Sequence, residues 1–125
     1  MNMKLLAMSL CSLAGLAFAK ESACDYPKNS FDGLYCLSKI YMQADKDLNE
    51  VYGKLAKKLD PSDRKSLKSG QMQWIQERND NCSELNARGF FVDMDCATST
   101  TISRVRFLED RLRECASTGC QPSKL

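Results

Sequence analysis

Seven cysteines occur in this 125-residue chain, and six remain once an N-terminal export signal is removed. That change from odd to even constrains the fold more than any other feature. The six are Cys24, Cys36, Cys82, Cys96, Cys115 and Cys120, and an even set in a small exported chain reads as a disulfide framework rather than as reactive thiols or a metal cage. The signal itself is read from Lys4, the apolar run Leu5 to Phe18, and Ala17-Phe18-Ala19, which has the small-x-small pattern of a cleavage site. The run is shorter than the roughly 20 apolar residues a spanning helix needs, and polar Lys20-Glu21-Ser22 follows at once. Cys11 follows Leu10, where lipidation wants a small residue, so it is expected to leave with the signal. Residues 1–19 are thus read as a signal peptide and 20–125 as the mature chain, with no stable membrane anchor, in the periplasm or secreted.

A mature chain of this length makes one domain with a limited core, so cross-links carry weight. Lys4 is the one charge within residues 1–19, and its loss takes the net charge from +2 to +1. So small an excess does not fit a nucleic-acid binder. The absence of histidine removes the commonest general base and metal ligand, and neither a metal nor another cofactor is expected. Asp45, Asp47 and Glu50 crowd one stretch, but they share it with Lys46, Lys54, Lys57 and Lys58, which suits a salt-bridged helix surface better than acid–base catalysis. No phosphate loop or nucleophile elbow is present, and no enzymatic activity is expected.

Leu34, Leu37, Tyr41, Ala44, Leu48, Val51 and Leu55 alternate three and four apart, the seam of a long amphipathic helix capped by Asn29 or Ser30 and ending near Leu59. Asp60-Pro61-Ser62-Asp63 then starts a second helix, with Asp60 as cap and Pro61 at the first helical position. It is expected to run to Leu85, with Leu67, Gln71, Trp74, Ile75, Arg78, Cys82 and Leu85 near one face. Arg88-Gly89-Phe90-Phe91 breaks the pattern and predicts a loop. Asp93 caps a third helix with Ala97, Thr101, Ile102, Val105, Leu108 and Leu112 on its apolar face, ending near Cys115, where Gly119 can act as the terminator. The expected fold is all-α: a three-helix up-down-up bundle with a long helical hairpin, stapled by disulfides.

This arrangement gathers Cys24, Cys36, Cys82 and Cys96 at one end. Cys115 lies nineteen helical residues beyond Cys96, about 28 Å away, so Cys115 and Cys120 should pair with each other. Three connectivities remain for the other four. Cys24 with Cys36 and Cys82 with Cys96 is favoured because each closes a short local loop, while Cys24 with Cys96 plus Cys36 with Cys82 stays open.

The segment Ala44-Asp45-x-x-Leu48-Asn49-x-x-Tyr52, followed by Gln73-Trp74-Ile75-x-x-Arg78-x-x-x-Cys82 and then by Cys96, Thr101, Arg104 and Leu108, resembles the LprI-type lysozyme inhibitor family. The likeness spans Cys24 to Leu112, leaving 113–125 as an added, disulfide-bonded tail. It implies a helical, bacterial, exported domain whose partner is a lysozyme or another peptidoglycan hydrolase, blocked by occlusion of its cleft. The second reading is an immunity or envelope interaction protein that neutralises another exported toxin. The loop between Cys82 and Cys96 departs from the family's glycine-rich, polar pattern.

Within the motif Asp45, Asn49, Tyr52, Trp74 and Arg78 read as structural: Trp74 in the core, Arg78 paired across the hairpin with Asp45 or Asp47, and Asn49 buried and bonded to a neighbouring backbone. The binding candidates are Arg88, Phe90 and Phe91, with Asp93 and Asp95 beside them. Two adjacent aromatics in a short loop cannot easily both enter a core, and their end of the chain is acidic. Residues 20–42 and 76–97 together carry a net charge of −3, against about +4 elsewhere in the mature chain. That sign suits a cationic partner. Mass mapping of unreduced peptides is expected to find Cys24 joined to Cys36 and Cys82 to Cys96; a peptide linking Cys36 to Cys82 contradicts the local pairing.

Overall fold

The computed structural model describes residues 24–125. The signal-peptide reading of 1–19, with Cys11, lies outside the described residues. Three helices account for most of the described chain: α1 (Ser30–Ala56), α2 (Pro61–Cys82) and α3 (Met94–Ser117). Between the last two stands a short antiparallel hairpin, β1 (Ser83–Asn86) and β2 (Gly89–Val92). A 3-10 turn, Pro122–Lys124, follows α3.

Each helix begins on the residue that its chemistry favours. The side chains of Asn29, Asp60 and Asp93 accept hydrogen bonds from the backbone N–H of Asp32, Asp63 and Cys96, satisfying donors that a helix start leaves open. Pro61 supplies the fixed φ of a first helical position and gives up only an N–H that would have no intrahelical partner. The stop after α3 uses Gly119 at φ +100°, a conformation that a side chain opposes, with its N–H donating to the Glu114 carbonyl at 3.0 Å.

Leu48, Val51, Leu55, Leu59, Leu67 and Leu108 form the core, with Tyr52, Trp74, Val105, Phe107 and Leu112 packed against it. Leu55, Leu67 and Leu108 are fully buried. Thr101 is too, and its hydroxyl donates to the Ala97 carbonyl at 2.7 Å, so its burial leaves no donor unmet. α1 packs chiefly along α3, and α2 rests on α3. The backbones of α1 and α2 approach only sparsely although a tight turn joins them, so α3, not the hairpin partner, supplies most of α1's cover.

The cystines are Cys24–Cys36, Cys82–Cys96 and Cys115–Cys120. Aliphatic burial is concentrated toward the end of α1, while at the hairpin end the buried positions are small: Cys36, Ala44, Cys82, Ala97 and Thr98. Two cross-links therefore hold the end that has least core to hold it. The tail also contributes to packing: Cys120 Sγ lies 3.8 Å from the Lys58 carbonyl oxygen, and Leu125 packs against the core beside Gly70. A methyl group on Gly70 would stand 3.2 Å from the Leu125 carbonyl carbon.

Several expectations change. The fold is mostly helical rather than all-α, because Ser83–Leu85 leave the helix for a strand and the anticipated loop becomes the hairpin's second half. Helix α1 stops at Ala56, and Leu34 at the head of its seam is exposed because no other described element covers it. Leu108→Ala is expected to lower unfolding free energy by about 3 kcal/mol, read from urea denaturation, since it empties a fully buried site. Replacing both Cys82 and Cys96 with serine should cost about 2 to 4 kcal/mol.

Candidate functional site

The hairpin grows from a closed root. Beside the Cys82–Cys96 cystine, the Asp93 N–H donates to the Cys82 carbonyl at 2.8 Å, so both strand ends are held where α2 stops and α3 starts. At the tip, the Arg88 N–H donates to Asn86 Oδ1 at 2.9 Å and Gly89 takes φ +126°, a value that a side chain would strain. The register pairs Ser83 with Val92, Glu84 with Phe91, Leu85 with Phe90 and Asn86 with Gly89.

Alternation along paired strands sorts the side chains by face. Leu85, Phe90 and Val92 fall on one face and are 69%, 83% and 56% exposed. Phe91, 44% exposed, is on the other with Glu84, and the Arg88 guanidinium carbon stands 5.8 Å from its ring centroid. Among the described residues no helix covers Leu85 or Phe90, whereas Val92 stands at the root beside Tyr41, Met94 and Ala97. Three apolar side chains left together in water are a cost that burial against another surface would relieve, by up to about 1.5 to 3 kcal/mol for a side chain buried completely.

The binding candidates do not form one cluster. Arg88, Phe90 and Phe91 lie together on the hairpin. Asp93 is committed to capping α3, through its carboxylate bond to the Cys96 N–H at 2.9 Å. Asp95, in the first turn of α3, is exposed and suits the helix dipole there. Sequence reasoning missed Leu85 and Val92, assigning one to a helix and leaving the other in a loop. The signal was the β-forming run Phe90-Phe91-Val92 after the turn residues Asn86-Ala87-Arg88-Gly89. It also missed Tyr26, Phe31 and Tyr35, which expose a second apolar surface around the start of α1.

The motif residues lie elsewhere. Asn49 is exposed rather than buried; its amide donates to the Asp45 carbonyl one turn back at 2.8 Å. Tyr52 and Trp74 both pack on the core. Arg78 pairs with neither Asp45 nor Asp47. It donates to Asn79 Oδ1 through Nε and Nη2, at 3.3 and 3.0 Å, and its guanidinium lies 5.1 Å from the Trp74 ring and 6.0 Å from that of Tyr41. The stack continues through Arg104, which faces both Trp74 and Phe107, to Arg111 on the far side of Phe107. This alternating ladder ties α2 to α1 at one end and to α3 at the other. Burial pushes the Arg104 pKa down, opposed by the charge of Glu77, and its Nε donates to Gln71 at 3.0 Å.

The carboxylates on α1 show the chemistry of a solvated surface. Gln43 donates to Asp47 at 2.8 Å, and the Lys54 hydrogen bond and charge hold the Glu50 carboxyl below its ordinary range. Among the described residues no group of histidine, cysteine, aspartate and glutamate is placed to hold a metal, and no helix is long and apolar enough to cross a membrane.

Compared with known proteins, the chain matches no curated protein and no solved structure. A family model described as "Lysozyme inhibitor LprI" matches residues 24–108, from the first described cystine to the buried leucine of α3. That family is one of inhibitors rather than enzymes, and inhibition implies a protein partner and, with the three cystines, export. With more than half of its length so matched, this chain belongs to the LprI lysozyme inhibitor family.

Proposed function

We propose that the protein is exported, to the periplasm or beyond the cell, and inhibits a lysozyme or a related cell-wall hydrolase by occupying its cleft with the hairpin end. Export would remove residues 1–19 and leave one domain, 20–125, whose family core is followed by the 113–125 tail. The observation that carries this reading is the hairpin itself, an uncovered ribbon with Leu85, Phe90 and Val92 on one face and Arg88 over Phe91 on the other.

A narrow ribbon fits a cleft better than a flat helix face does, and the cystine at its root limits the conformational freedom lost on binding. Large aromatics and arginine are the residue types that carry most binding energy at protein interfaces. The described parts of the hairpin end, 24–42 and 76–97, hold a net charge of −3. Catalytic clefts that process anionic glycans are often flanked by positive charge, so the sign favours encounter. Blocking requires no chemistry from the inhibitor.

The test is peptidoglycan hydrolysis by a cationic lysozyme in the presence of the oxidised protein. Inhibition at micromolar concentration is expected, and Arg88→Ser, Phe90→Ser and Phe91→Ser combined should weaken it by at least about tenfold while leaving the helical circular dichroism unchanged. Unchanged inhibition by the triple variant would remove the hairpin from the mechanism. No inhibition of any lysozyme class by the parent protein would remove the function.

A further inference from the structure

A cavity of about 290 Å³ opens at the root of the hairpin, lined by Tyr41 of α1, Arg78, Asn79 and Cys82 of α2, Ser83 and Val92 of the strands, and Met94 and Ala97 of α3. Its walls are mostly apolar, and its one charged residue is Arg78. A second cavity shares Cys82, Ser83 and Val92 but is lined by the carboxylates of Glu84 and Asp93. The first has no carboxylate in its lining, although it lies in the acidic half of the molecule.

Arg78 has an unusual set of partners. A guanidinium offers five N–H donors. Two bond to the Asn79 side chain, and no described carboxylate lies within ion-pair distance of the others. The rings of Trp74 and Tyr41 lie beside it, with centroids 5.1 and 6.0 Å from the guanidinium carbon. An arginine already bonded to Asn79 and packed by two rings has less side-chain freedom to lose when it meets an anion, and a planar fork with free donors matches a carboxylate.

From this geometry we infer a ligand site: the cavity takes a small organic carboxylate with a compact apolar stem, the carboxylate on Arg78 and the stem against Tyr41, Val92, Met94 and Ala97. A stem of about four to six carbons suits a cavity of this size. A free acid and the apolar C-terminal residue of a peptide share that chemistry. The site shares Ser83 and Val92 with the root of the hairpin but none of Leu85, Arg88, Phe90 and Phe91, and it does not depend on whether lysozyme is inhibited.

Two-dimensional 1H–15N NMR of the oxidised protein tests it with 4-methylpentanoate, its neutral amide 4-methylpentanamide, and acetyl-Gly-Gly-Leu with a free or an amidated C-terminus. The expected result is saturable shifts of the Arg78 Nε–H and of the Val92, Met94 and Ala97 amides with a free carboxylate. The matching amide should bind at least about tenfold more weakly. Arg78→Gln should abolish that discrimination, and Arg88→Ser should leave it intact. Shifts with 4-methylpentanoate identify any small acid as sufficient, whereas shifts with the free peptide alone identify a chain terminus. Equal binding of acid and amide overturns the inference, as does the absence of saturable shifts at the cavity with every carboxylate. The acid–amide comparison is made on the unaltered protein, so it decides the matter even if Arg78→Gln does not fold.

Discussion

The junction of α2 and α3 holds the rest of the molecule's display in place. One cystine, Cys82–Cys96, and one backbone hydrogen bond, Asp93 N–H to the Cys82 carbonyl, bring a helix end and a helix start together. The ten residues between Cys82 and Asp93 have no room to cross to the core. They must leave and return, and the two-stranded ribbon is the form in which their backbone groups pair while doing so. An isolated hairpin is marginal in water, so this one depends on its root. Loss of the root would leave the same apolar side chains on an unstructured segment.

The molecule divides its labour along its length. Leucines concentrate where the ends of α1 and α3 meet the start of α2, and the tail adds Leu125 there. At the other end, cystines replace aliphatic bulk, so exposed apolar residues can be carried without a large core beneath them. Between the two, the ladder from Tyr41 through Arg78, Trp74, Arg104 and Phe107 to Arg111 joins all three helices. The ring contacts hold the guanidinium groups in place electrostatically, while Arg111 also pairs with Glu114 at 2.8 Å.

Much of this was legible in the sequence. The caps Asp60 and Asp93, and Asn29 as one of two candidates with Ser30, follow from side-chain chemistry confined to a few residues, and the seam from Ala44 to Leu55 follows from strict helical spacing. The motif around Trp74 and Arg78 pointed to the family that the chain matches. What escaped depends on tertiary context. Leu85 continues α2's apolar period, and only closure of the Cys82–Cys96 link explains why the chain turns into a strand three residues earlier. Arg78 has carboxylates within plausible helical reach, but α1 turns its attention to α3, and the ring of Tyr41 faces the guanidinium instead. Periodicity predicts which face of α1 is apolar, and it cannot say that no described element covers Leu34.

The proposed recognition surface is the hairpin rather than the helix faces. Hydrogen–deuterium exchange of the oxidised protein, alone and mixed with a cationic lysozyme, tests it directly. The account predicts that the added protection on complex formation centres on Ser83–Val92. Protection confined to the exposed faces of α1 and α3, with the hairpin amides exchanging as in the free protein, would contradict it.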